Sequence, residues 1–539
     1  MILLSGFLDV LFRALVFVGL ALSVGGIVFY YAVLRPFLRQ AQDAQYTVLH
    51  RVTTLIAVGA FTVAISQIAA VLTSLSTMAD AAGHWPIAAF AQTQFARAGT
   101  THASVALILA VGALVLRRHV RSTAAWGIEA GLGALVLVTG AWLTHGASRL
   151  TNTAPLMSVT VIHQLAAVTW IGGTIHLTAQ WRLLDRVPGG DDLWSRIVAR
   201  FSPLALTSVV VLVAAGFYLS WEYIRGINGL VGTSYGTMLL TKIALMFALL
   251  FLGGINNLTI RNWKLTGNSS QLLRRVPVFA EVEAGIGLIV LMAAAALTAQ
   301  PPAIDTINQQ ATPAEVLYTL APKMPQLTPP PRAEMLATAS SSTDPFALPN
   351  KIAEVQSDFN HNISGIFVIL IGLGAFLSAV THARWARNWP LLFIPFALFL
   401  LIIGEPNGWP LGPEPFWKTL IAPEVLQHRL ATLLVVVLGL VEWGVTTGML
   451  AATRWKYLFP ILLLAGGGLL LTHSHSVFAI KWAFLIEVSH NAIGVCAVFA
   501  GAAAWIQLKL PGREGRIAGI LWPIFLTLVG VVLLFYKEV

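Results

Sequence analysis

Time after time along this chain, twenty or so apolar residues run together before a short polar break stops them. The first such run, LFRALVFVGLALSVGGIVFYYAVL from Leu11 to Leu34, is followed at once by Arg35 and Arg39. An α-helix rises 1.5 Å per residue, so about 20 apolar residues cross a hydrocarbon core roughly 30 Å thick. Strict apolar–polar alternation is missing, which argues for helices rather than a membrane barrel. With 57% hydrophobic and only 10% charged residues, an ordinary water-soluble domain is excluded. The expected fold is all-α, a polytopic transmembrane helix bundle of about fourteen spans.

The formal charge of +10 invites a nucleic-acid reading, but the basic residues do not form one patch. They sit in short clusters between apolar runs, such as Arg117, Arg118 and Arg121, or Arg182, Arg186, Arg196 and Arg200. Loops that obey the positive-inside rule look like this, so the partner is a lipid bilayer and no nucleic acid is expected. With those clusters in the cytoplasm, both termini face outward. The opening run is too long for a signal peptide and reads as the first span. The single cysteine, Cys496, leaves no intrachain disulfide and no thiolate cage. Residues 300–360, with PPAIDTINQQATPAEV and TPPPRAEM, are proline-rich and polar, and read as an external linker. They separate an eight-span membrane domain, 1–299, from a six-span one, 361–539.

Histidine placement is the sharpest chemical signal. LTHGAS at Leu143–Ser148 and LTHSHS at Leu471–Ser476 each close an outward-going span. Each is followed by a returning span with one histidine inside it, VIHQLAAV with His163 and VSHNAIGV with His490. A polar group one or two turns inside a span is expensive and usually functional. Imidazole is the commonest side-chain metal ligand, so His145, His163, His473, His475 and His490 are the expected metal ligands. His84, His102, His361, His428 and Met157 are further candidates near the same face. Lys242, Glu487 and His176 are candidates for a relay deeper in the membrane, with Lys242 either snorkelling outward or pairing with an acid. Histidine and methionine without cysteine favour copper, as Cu(I) or Cu(II). Binding by ordinary imidazoles should weaken below about pH 6.5, where protons compete for the ring.

Two stretches carry a family resemblance. RFSPLALTSVVVLVAAGFYLSW, from Arg200, and LVGTSYGTMLLTKIALMFALLFLGGINN, ending at Asn257, resemble the core signature of the CopD/PcoD copper-resistance membrane proteins. HQLAAVTWIGGTIHL, His163 to Leu177, is similar to the histidine–tryptophan–double-glycine helix that precedes that core. The resemblance implies an inner-membrane protein, not an enzyme, that takes up or handles copper. It also implies a separate periplasmic CopC-type copper carrier as partner, since no such domain is expected in this chain. The alternative is a b-type cytochrome with transmembrane histidines on haem. His163 and His176 share a helix, but 13 positions leave them about 140° apart around its axis. A membrane scaffold, or a copper-delivery subunit of a larger complex, is a third reading.

Overall fold

The computed structural model describes residues 2–37, 42–339, 350–381, 383–404, 409–410, 412–413, 415–419, 423–472 and 481–538. Among the described residues every regular element is a helix. The chain is a polytopic bundle that divides into two compact units. Unit 1 is Met1–Gln310 with Thr472–Val477, and unit 2 is Ala311–Leu471 with Phe478–Val539.

Eight long helices build unit 1: α1 (Ile2–Phe29), α2 (Gln42–Ala82), α3 (Gln94–Arg118) and α4 (Thr123–Ala141) come first. They are followed by α5 (Thr153–Leu184), α6 (Gly190–Ile224), α7 (Ser234–Thr266) and α8 (Ser270–Ala299). Large apolar side chains point away from the protein on these helices, Phe251 at 70% and Phe247 at 67% exposure among them. In water such a surface would aggregate; in lipid it is the solvated face. The interior is made by small residues that let backbones approach. A Cβ added at Gly172 of α5 would lie 2.1 Å from the Ala21 carbonyl oxygen, so α1 and α5 cross at a point only glycine permits. Just before it, Val168–Gly172 form a π-helical turn. Such single wide turns insert an extra residue into a helix and gather at functional sites.

The start of α7 explains the GTSYG stretch in physical terms. Thr233 caps the helix, its hydroxyl oxygen accepting from the Gly236 amide at 3.0 Å while the hydroxyl donates to the Gly229 carbonyl at 2.7 Å. A Cβ at Gly236 would meet the Leu230 carbonyl at 2.2 Å, so the turn before the helix folds flat against it. From there α7 packs along α8 and touches α6 very little, which leaves a seam between α6 and α7.

Unit 2 has α9 (Lys351–Thr381), α10 (Trp385–Ile403), α11 (Pro423–Thr446), α12 (Arg454–Thr472), α13 (Lys481–Lys509) and α14 (Arg513–Leu534). Thirteen of these fourteen helices are long and apolar enough to cross a membrane. In α11 the described residues include the apolar stretch Thr432–Thr446. Trp389, Phe459 and Trp522 form its aromatic centre, with ring centroids 5.1 to 5.7 Å apart. The polar stretch after α8 carries short elements of its own. In unit 1 it forms short 3-10 turns at Ala303–Asp305 and Ile307–Gln309, and in unit 2 a capped helix, Pro313–Leu320.

Candidate functional site

The seam between α6 and α7, backed by α1, α5 and α8, opens into a cavity of about 1130 Å³. His145, His163, Gln164, Tyr235, Lys242 and Met246 all line it. His145 arrives on the loop between α4 and α5, in a 3-10 turn over His145–Ser148. Arg149 anchors that loop, its guanidinium donating two bonds of 2.8 Å to the Asp305 carboxylate while it covers the Tyr223 ring at 5.6 Å. Planar two-point pairing of this kind fixes orientation as well as distance. The His145 ring sits between Tyr223 and Tyr235, with centroids 6.2 and 6.3 Å away, and its Nε2 is buried without a hydrogen-bond partner. Burial, then the charges of Arg13 and Arg149, push its pKa down to about 4, with Asp305 opposing. At neutral pH the ring is therefore uncharged, the form that ligates metal.

His163 projects from α5 toward α6, where Gly216 makes room; a Cβ at that glycine would lie 3.2 Å from the ring's Cε1. The ring bonds to the Leu212 backbone, while its Nδ1 is buried and unpartnered. Leaving such a group unsatisfied costs about 1–3 kcal/mol. His102 Nε2 and His176 Nδ1 are buried without a partner as well, so what sets His163 apart is the cavity it lines. From α7, Lys242 lies within electrostatic reach of the same ring. Lys242 lines the cavity, with no carboxylate in ion-pair range among the described residues. Three acids of unit 1 are engaged with other partners, Glu222 with Arg225 at 3.6 Å, Glu281 with Arg182 at 3.5 Å and Glu283 with Asn256 at 2.5 Å.

The other candidates are scattered. His84 is exposed, its Nδ1 3.0 Å from the Ala82 carbonyl. His102 is buried on α3 with Nδ1 3.1 Å from the Thr139 hydroxyl. Met157 is half-buried on α5, away from the cavity lining. His176 is fully buried, its Nε2 2.8 Å from the Leu22 carbonyl and its ring stacked on Phe29, so it shares no cavity with His163. In unit 2, His361 and His490 come together with ring centroids 5.7 Å apart, both against Tyr536. Each places Nδ1 2.8 Å from a carbonyl one turn back on its own helix, Ser357 and Ile486 respectively. That puts the proton on Nδ1 and makes Nε2 the basic nitrogen. Glu487 is buried one turn before His490. His473, His475 and the His428 side chain lie outside the described residues. Among the described residues no three His, Cys, Asp or Glu side chains converge closely enough to hold a metal ion.

Gln164, Met246 and the buried Asn256–Glu283 pair were not singled out by the sequence. Met246 was findable, since it stands one turn after Lys242 on the same face of α7.

Residues 195–297 match the family model of copper resistance protein D, CopD. The chain carries a CopD domain. It runs from the opening turns of α6 to the end of α8 and supplies the cavity's Leu212–Ile224, Tyr235–Leu249 and Val290–Leu297 walls. His145 and His163 stand just outside it and face it across the cavity. The chain is also 34% identical over 144 residues to the copper transport protein CutJ of Bacillus subtilis (strain 168). That alignment takes in 26% of this chain and 24% of CutJ, so the chain spans about a quarter of its relative. No solved structure matches the chain. The CopD domain and the helix content identify a multi-pass membrane protein of the CopD family.

Proposed function

We propose that this protein carries copper across the bacterial inner membrane, and that the ion is first held in the α6–α7 cavity by His145 and His163. One observation carries the reading. Much of the wall of that cavity is the CopD domain, and the two histidines that line it from outside the domain each carry a buried ring nitrogen with no hydrogen-bond partner. Two neutral imidazoles with the nearby thioether of Met246 suit Cu(I), and imidazole suits Cu(II) as well. At about 1130 Å³ the cavity is far larger than one ion. It works as a vestibule, wide enough for a hydrated or carrier-bound ion to be handed over, and a separate periplasmic CopC-type carrier is the natural donor. The cavity mouth and both termini are then periplasmic. No covalent chemistry is asked of the chain, which acts as a carrier and not an enzyme. In unit 2, His361 and His490 are assigned to a second, weaker copper pair.

Elemental analysis of the purified protein tests the entry site. His163→Ala and His145→Ala should each reduce bound copper at least tenfold at limiting copper while the protein still inserts. Unchanged copper in both variants would remove the cavity from the proposal. A visible spectrum of the same samples with a Soret band would replace copper by haem.

A further inference from the structure

The seam between α6 and α7 holds a second cavity, of about 370 Å³, lined by Thr174, Ser202, Asn256, Asn257 and Glu283 among apolar neighbours. Only two residues line both cavities, Trp170 and Leu249. The repeat that produces this is legible on each helix. On α5, Trp170 follows His163 by seven positions; on α7, Leu249 follows Lys242 by seven and Asn256 follows Leu249 by seven. Seven residues make two turns, about 10 Å of rise on one helix face. The seam thus has three tiers: His163 and Lys242, then Trp170 and Leu249, then Asn256 with Thr174 and Glu283.

The middle tier is shut and built to move. Trp170 is 6% exposed and Leu249 2%, so side chains fill the space between the chambers. Trp170 stands on the π-helical turn Val168–Gly172, and the next residues are locked to α1 at the Gly172–Ala21 approach. A wide turn beside a fixed crossing lets one side chain swing without displacing the helix. On the other wall, the sparse contact between α6 and α7 leaves room for the indole.

The lower tier offers a different donor set. Asn256 donates to Glu283 at 2.5 Å, both are buried, and the Asn256 Oδ1 is buried without a partner. A carboxyl group and an amide oxygen make a hard-oxygen site, weaker for copper than imidazole. Movement through a pathway needs each site weak enough to release its ion.

On the copper-carrier reading of the upper cavity, we propose that Trp170 and Leu249 form the closed partition of a two-chamber pathway, in which Glu283 and Asn256 receive the copper ion that passes it.

Cysteine accessibility tests the partition without copper. In a Cys496→Ser background, Thr174→Cys reports on the lower chamber and Ile227→Cys on the mouth of the upper one. Sealed vesicles are treated with a cationic, membrane-impermeant thiosulfonate on the face that labels Ile227→Cys. Adding Trp170→Ala should raise Thr174→Cys labelling from that face at least tenfold, whereas Trp170→Phe should keep it slow. Equal rates with tryptophan and alanine, while Ile227→Cys labels normally, overturn the partition. Copper uptake into the same vesicles tests the lower station: Glu283→Gln should slow it at least tenfold, and a wild-type rate overturns that role. Wild-type protein that binds no copper overturns the carrier reading and the station with it, and the labelling ratio still decides the partition.

Discussion

The two units each bring histidines together, but they treat the rings differently. In unit 1, His145 and His163 face a large cavity with one buried ring nitrogen each left unpartnered. In unit 2, His361 and His490 lie edge to face, each tied through Nδ1 to its own helix, with Tyr536 packed on both. The first arrangement leaves the polar cost of burial to be met by a ligand; the second meets much of it within the protein. Burying a histidine in a membrane is therefore not by itself a sign of a binding site. What its two nitrogens touch is the informative part.

Copper titration of single variants would break or sharpen that contrast, and the largest difference is expected here. His163→Ala should weaken copper binding at least tenfold more than His490→Ala, about 1.4 kcal/mol or more. Equal losses would mean that the free nitrogens of unit 1 do not distinguish the sites. Lys242 supplies the next largest effect. Its charge faces His163 with no carboxylate beside it among the described residues, so it repels a bound cation. Lys242→Gln should tighten copper binding in unit 1 about tenfold, ~1.4 kcal/mol, and leave the unit 2 pair as it was. Weaker binding in that variant would show instead that the ammonium holds an anionic companion of the ion.

Proton competition separates the units in a third way. An ordinary imidazole loses its ligand form below about pH 6.5. Burial and the neighbouring arginines move that point for His145 to about 4. Between those values the apo protein keeps His145 neutral, so no proton has to leave when copper arrives. Copper affinity of His145 should stay flat from pH 8 down to about 5 and fall only as pH approaches 4. The same shift bears on stability. The unfolded chain binds the proton from about pH 6.5 downward and the folded one only near 4, so folded unit 1 loses stability across that interval. A copper isotherm that already weakens tenfold by pH 6 would show that His145 is solvated in the working protein.

Much of this was readable in the sequence because hydrocarbon imposes so few solutions. Apolar runs of span length gave the helical bundle. His163 stood out because a lone polar group in an apolar run needs a reason. The pairing of His361 with His490 did not, because residues 129 positions apart meet only through the packing of α9 and α13 against α14. Lys242 shows the limit from the other side. Its position was plain, but whether it snorkels, pairs or faces a cavity depends on how closely α6 approaches α7, and no local pattern encodes that. The Trp170–Leu249 tier was half visible, as a seven-residue step on each of two helices, and became meaningful only when the helices were set side by side.

The smallest expected effect lies outside the spans, in the helix Pro313–Leu320 of unit 2. Thr312 and Glu315 form a reciprocal cap there, and Glu315 meets Lys481 at the start of α13 at 2.6 Å. The Lys481 ammonium and then the Thr312 amide and hydroxyl hold the Glu315 pKa down at about 2. A depressed carboxylate pKa stabilises the folded state fully above the ordinary value near 4.5, and that contribution is lost as pH falls through about 2. Both side chains are partly exposed, so the pair is screened and its share of stability is slight. The amides of Pro313–Leu320 should therefore keep their hydrogen-exchange protection to about pH 3, well after His145 has begun to charge. Glu315→Gln should remove the salt-sensitive part of that protection and leave copper binding in unit 1 unchanged. Early exchange of this helix, near pH 5, would show that its cap and not its ion pair sets its stability, and that unit 2 is tied down by packing against α13 alone.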